Sequence, residues 1–107
     1  MKMESIILNI AQEILENKID LIKASRELEK FQFGFGLENN KQILFFVAFA
    51  SETDSFPIGD QRKNWDKLTL LEKDKELKKI KDFYRNDAIN ASQELIKHFS
   101  LRENREK

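Results

Sequence analysis

At the amino end apolar side chains fall at steps of three and four: Ile6, Ile7, Ile10, Ala11, Ile14 and Leu15. That spacing places them on one stripe and predicts an amphipathic helix from Met3 to Asn17. Asn17-Lys18 is the stop, because Asn tolerates the left-handed conformation that closes helices. A second helix is predicted from Lys18 to Phe31, with Leu21, Ile22, Ala24, Ser25, Leu28 and Phe31 as its apolar set. The short connection makes these two helices antiparallel neighbours.

Phe31-Gln32-Phe33-Gly34-Phe35-Gly36-Leu37 breaks the period. No second strand is evident to pair with it, so it reads as an aromatic-rich loop whose Phe residues fold back onto the core. Asn39 or Asn40 then caps a third helix from Lys41 to Ala50. This helix is apolar without interruption from Ile43 to Ala50. A helix apolar all round is buried on most sides, which makes it the predicted central element.

Pro57 and Gly59 mark a turn, and Asp60 to Lys67 reads as a short helix that presents Trp65. Thr69 and Glu72 have the spacing of a capping box that opens the longest helix. Its stripe is Leu77, Ile80, Tyr84, Ala88, Ala91, Leu95 and Phe99, widened by Phe83 and Ile96. The opposite face carries Lys75, Lys78, Lys79, Lys81, Asp82, Asn86, Asn90 and Lys97. The predicted fold is all-α: one domain over residues 1–107, a bundle of about four main helices. A structured loop precedes the long C-terminal helix, and the charged end at 101–107 is expected to fray.

Composition narrows the function. A chain of 107 residues is one domain able to bury a modest core. The absence of Cys excludes disulfides and thiolate chemistry, and a single His nearly excludes a His-based metal site. No apolar run approaches the roughly 18 residues that would span a membrane. Met1-Lys2-Met3-Glu4 does not open a signal peptide, so a cytoplasmic location is expected.

Nineteen basic and nineteen acidic side chains cancel, which argues against direct nucleic-acid binding. Their distribution is uneven. Residues 27–60 hold six acids against two bases, whereas residues 61–107 hold thirteen bases against nine acids. Solvated helix faces sampling charge unevenly is the plain explanation. An acidic middle that attracts a basic partner is the sharper one.

Candidate chemistry gathers between Ser51 and Trp65, which includes the only Pro, the only Trp and one of three Gly. Glu52 and Asp54 are the candidates for acid–base work or a hard cation. Two carboxylates hold Mg²⁺ only with substrate phosphates or further ligands. Glu72, Asp74 and Glu76 alternate and fan out around a helix, so they do not converge. His98 has no Arg a few residues before it, and Gly34-Phe35-Gly36 lacks the third Gly, strand and Lys of a phosphate loop. No catalytic, cofactor-binding or metal-ligating residue is therefore assigned.

The stretch is better read as turn architecture. Ser51 or Thr53 caps, Glu52 and Asp54 accept backbone N–H groups or pair with Arg62, and Arg26 is a second partner for those acids. Pro57 fixes φ, Gly59 permits positive φ, and Trp65 brings a large apolar face. A core role for Trp65 sets an expected cost of roughly 3–5 kcal/mol for its truncation.

The order Ser51-Glu52-Thr53-Asp54, then Pro57, Gly59, Arg62 and Trp65, resembles a family of small helical bacterial proteins of unknown function. The resemblance extends from Ile14-Leu15 through Ser25-Arg26 and Leu28 to Leu95-Ile96 and Phe99. It departs at Asn17, where Gly is common, and at Ser25, where Gly or Ala precedes the Arg. Such proteins look like single-domain partners rather than enzymes. The chain also resembles, in size and type, the immunity proteins of contact-dependent growth-inhibition systems.

That resemblance implies an antitoxin that binds a cognate toxin domain, a basic nuclease of ribonuclease type, without cofactor, membrane or direct nucleic acid. A motif shared across a family would build scaffold, and partner contact would fall to Phe33, Phe35, Glu38, Asn39 and Asp60. Two alternatives stand beside it. One is a small metal-dependent hydrolase using Glu52 and Asp54. The other is a regulatory homodimeric scaffold with the Phe33–Leu37 loop as its interface.

Overall fold

The computed structural model describes residues 3–106, with side chains described as far as Ser100. It is all-α, with four helices and one 3₁₀ turn among the described residues. They are α1 (Met3–Leu15), α2 (Leu21–Glu29), α3 (Lys41–Glu52), the 3₁₀ turn (Gly59–Asn64) and α4 (Lys67–Glu106). Fraying of 101–107 concerns side chains, and for Lys107 also backbone, that lie outside the described residues. No helix among the described residues is long and apolar enough to cross a membrane.

Helix α1 ends as the sequence predicts. Asn17 adopts φ 56°, Lys18 N–H donates to Glu13 C=O at 2.8 Å and Asn17 N–H to Ile14 C=O at 3.1 Å. This nested pair is the closing pattern that needs a left-handed residue just past the helix. Helix α2 starts three residues later than the periodicity indicates. Asp20 is its cap, accepting from the amides of Ile22 at 3.1 Å and Lys23 at 3.3 Å. An acid at that position satisfies exposed amides and the positive end of the helix together.

The caps of the last two helices divide between success and correction. Asn40 caps α3, accepting from Ile43 N–H at 2.9 Å. Helix α4 is opened by Asp66, not by the Thr69–Glu72 box. The Asp66 carboxylate takes the Thr69 amide at 3.2 Å and the Thr69 hydroxyl at 3.3 Å, which makes Thr69 a donor within the first turn.

The bundle consists of two helix pairs, α1 against α4 and α2 against α3, joined by a narrower α3–α4 seam and a shorter α1–α2 contact. Helices α1 and α2 are neighbours, but each has its main partner elsewhere. The expected core stripe of α4 is in place: Leu77, Ala88, Ala91, Leu95 and Phe99 are buried, with Ile80 and Tyr84 partly so. Phe83 does not widen it and lies 75% exposed. Nor is α3 buried all round. Ile43, Phe46, Phe49 and Ala50 face the core, while Leu44 and Ala48, four residues apart, face outward.

Three buried polar side chains, Ser25, Thr53 and Ser92, keep their hydroxyls within their own helices. Each donates to the carbonyl four residues back, Leu21, Phe49 and Ala88, at 2.8 Å. Burial of a hydroxyl costs little once such a bond is made.

Candidate functional site

The turn from Ser51 to Trp65 is built around buried Thr53. Its N–H donates to Phe49 C=O at 3.1 Å and its hydroxyl to the same carbonyl at 2.8 Å, so this residue closes α3. Its own C=O then accepts from Phe56 N–H at 3.1 Å and from the Arg26 guanidinium at 3.4 Å. Phe56 and Pro57 are buried behind this anchor, with the Lys73 ammonium 5.6 Å from the centre of the Phe56 ring. Gly59 then adopts φ 56°, which starts the 3₁₀ turn at low steric cost.

The polar partners differ from those expected. Arg62 does not pair with Glu52 or Asp54. Its guanidinium reaches twelve residues ahead to Asp74, with two parallel hydrogen bonds of 2.8 Å. Arg26 meets the turn through the Thr53 carbonyl rather than a carboxylate. Ser51, Glu52 and Asp54 are all exposed, and Trp65 is half-buried at the rim instead of in the core. The Glu52 carboxylate faces the Tyr84 hydroxyl and, as its acceptor, is the main cause holding that phenol above its usual range. Partial burial and the charges of Glu52 and Asp87 push the same way.

Between the turn, the start of α2 and α4 lies a cleft of about 570 Å³. Ile22, Pro57, Ile58 and Leu77 form its apolar lining, and two charge pairs bridge it. One is Arg62–Asp74. The other joins Lys81 of α4 to Asp20, whose second oxygen caps α2. The Arg62 hydrogen bonds hold the Asp74 carboxyl below the ordinary carboxylate range, burial opposes them, and the charges of Arg62 and Lys81 lower it further. Asp74 therefore stays ionised at neutral pH and offers no proton to exchange. The arrangement fastens three elements together: the 3₁₀ turn, the start of α2 and α4.

Among the described residues, no group of three or more His, Cys, Asp or Glu is arranged to hold a metal ion. Glu76 is drawn to Lys73 at 3.5 Å and Asp74 to Arg62 at 2.8 Å. His98 is exposed and packs edge-on against Phe99 at 4.9 Å.

Phe33 and Phe35 do not fold back onto the core. They are 69% and 48% exposed, and the loop is secured instead by buried Leu37. The Glu38 carboxylate accepts from Gly34 N–H at 3.2 Å, and positive φ at Gly34 and Gly36 gives the loop its bends. Phe35 leans edge-on against Phe31 at 5.5 Å. Phe33, Phe35, Glu38 and Asn39 thus share one exposed loop between α2 and α3. Asp60 belongs to the other end of that helical hairpin, where it pairs with Lys63 at 3.4 Å.

Sequence reasoning missed Asp20, Asp66, Asp74 and Lys81. The two caps had a local signal, an acid directly before an apolar period. The partnership of Arg62 with Asp74 had none. No protein-family model, curated protein or solved structure matches the chain.

Proposed function

We propose that the chain is an inhibitory binding protein, an immunity protein of the cytoplasm that occludes a basic nuclease toxin domain. The observation that carries this reading is the exposure of Phe33 and Phe35 on a loop fastened from within. Exposed aromatics on an ordered loop favour a partner that covers them, because aromatic side chains supply much of the energy of protein interfaces. The acidic stretch around them suits a nuclease, whose active-site groove must be basic to hold phosphates.

The Ser51–Trp65 turn takes a scaffold role in this reading. Its residues are engaged in closing α3, holding Arg26 of α2 at Thr53 and fastening Arg62 to Asp74 of α4. Nothing in the geometry of exposed Glu52 and Asp54 favours the hydrolase reading.

Co-expression with a toxin domain encoded beside this chain tests the proposal. A stable complex on size exclusion and protection of growth are expected. Phe33→Ala with Phe35→Ala should weaken both while the melting temperature holds. No complex and no protection would overturn the proposal. A homodimer held by the same two rings, dispersed by the double substitution, would put the scaffold reading in its place.

A further inference from the structure

On α4, Phe83, Asp87, Asn90 and Glu94 recur at steps of four, three and four, so they form one ridge along the helix surface. Helix α3 runs antiparallel beside it. Phe45 and Phe49 meet Tyr84 edge-on at 6.2 and 5.8 Å. Nearer the start of α3, Lys41 and Phe45 share a groove of about 300 Å³ with Asp87, Asn90 and Glu94. Glu52, facing the Tyr84 hydroxyl, ends the row.

Two properties meet on this face. Phe83 is the most exposed of the large apolar residues described, yet its ring is held edge-on to Tyr84 at 4.9 Å. The carboxylates of Glu52, Asp87 and Glu94 also form no ion pair among the described residues. Acids elsewhere are divided: Asp20, Glu27, Asp60, Asp74, Glu76 and Asp82 have a basic partner, whereas Glu29, Glu38, Asp54 and Glu72 have none among the described residues. What marks this face is three such carboxylates on two adjacent helices beside an exposed ring. Lys41 is the one cation lining the groove.

We infer that the α3–α4 face centred on Phe83 receives an arginine-bearing surface of a basic partner protein. The inference rests on the reading of the chain as a nuclease inhibitor and locates where the charge of that partner is met. A guanidinium can stack on the exposed ring and donate to a carboxylate at the same time. Phe83 and Asp87 are four residues apart, which puts their Cβ atoms roughly 6 Å from each other, within reach of one Arg. The row of unpaired acids offers the partner what phosphates offer it, and it repels nucleic acid itself. Lys41 and Gln42 follow directly on the Asn40 cap, so the groove begins where the Phe33–Asn39 loop ends.

The isotope-labelled chain titrated with an octa-arginine peptide at low salt tests the face without any toxin. Amide shifts should centre on Glu52, Phe83, Asp87 and Glu94. Phe83→Ala, and Asp87→Lys combined with Glu94→Lys, should each weaken the peptide by about tenfold or more. All three positions are exposed, and circular dichroism melts check that the variants fold. Shifts centred on residues 27–38, or affinity unchanged in the double variant, would overturn the inference.

A second arm uses the neighbouring toxin domain. Loss of growth protection in the folded double variant supports the assignment. Full protection by that variant overturns the face and leaves the inhibitor reading standing. A toxin domain that ignores the native chain overturns the inhibitor reading, and the peptide titration still decides the face.

Discussion

Arg62 and Asp74 are joined by two parallel hydrogen bonds of 2.8 Å that fasten the 3₁₀ turn to the second turn of α4. The fork of a guanidinium matches a carboxylate edge, so the pair fixes an orientation as well as a distance. Both side chains remain partly in water, and screening there keeps the energetic yield of such a pair small. Its effect is to hold the turn in place.

The pair makes stability depend on pH in a definite direction. Asp74 is held below the ordinary carboxylate value in the folded chain. Its contribution is therefore complete above the unfolded carboxyl value of about 4 and is lost as pH falls through the folded one. Asp74→Asn should flatten that part of the acid limb in urea midpoints measured across pH, with little change in the limb above neutrality. An unaltered acid limb would show that the pair is not formed in solution.

Trp65 lies half-buried at the rim of the turn. Trp65→Ala should therefore cost about 1–2 kcal/mol, below the range for a core aromatic. Chemical denaturation measures it directly. A loss above that range would place the indole in the core after all.

Asn17 closes α1 at φ 56°. Asn17→Gly removes the side-chain penalty of that conformation and should stabilise the protein by a few tenths of a kcal/mol, whereas Asn17→Ala should destabilise it by about 1 kcal/mol. The opposite ranking in thermal melts would show that the helix closes differently.

Asp20 performs two tasks with its two oxygens, capping α2 and pairing with Lys81. Asp20→Ala should cost about 1–2 kcal/mol, mostly through the cap. Asp20→Asn keeps an acceptor for the amides and should recover most of that loss. Equal effects of the two substitutions in urea titrations would shift the weight to the ion pair.

Features governed by a period or a single dihedral were legible in the sequence. The stripe from Leu77 to Phe99 is one, and the left-handed stop at Asn17 is another. Caps were half-legible. Asn40 stood out because it precedes an apolar run, while Asp20 and Asp66 fell inside stretches read as helix, 18–31 and 60–67, and were passed over as caps. Aromatics were least legible: Phe99 is buried and Phe83 exposed because only the first falls where another helix can cover it. The candidate site shows the same division. Gly59 had to be a positive-φ turn residue, but the choice between Asp54 and Asp74 as the partner of Arg62 depends on how α4 lies across the turn.

The three buried hydroxyls of Ser25, Thr53 and Ser92 have a wider consequence. Because each is bound to a carbonyl of its own helix, none of these three hydroxyls dictates which residue of a neighbouring helix must stand opposite. The interior is matched by shape, and shape can be rebuilt by compensating changes of volume. Directional ties lie nearer the surface, with Arg26 on Thr53, Arg62 on Asp74, Lys81 on Asp20 and the Tyr84 hydroxyl on Glu52. Such a chain can drift in its core and diversify on its open faces independently, provided those clasps survive.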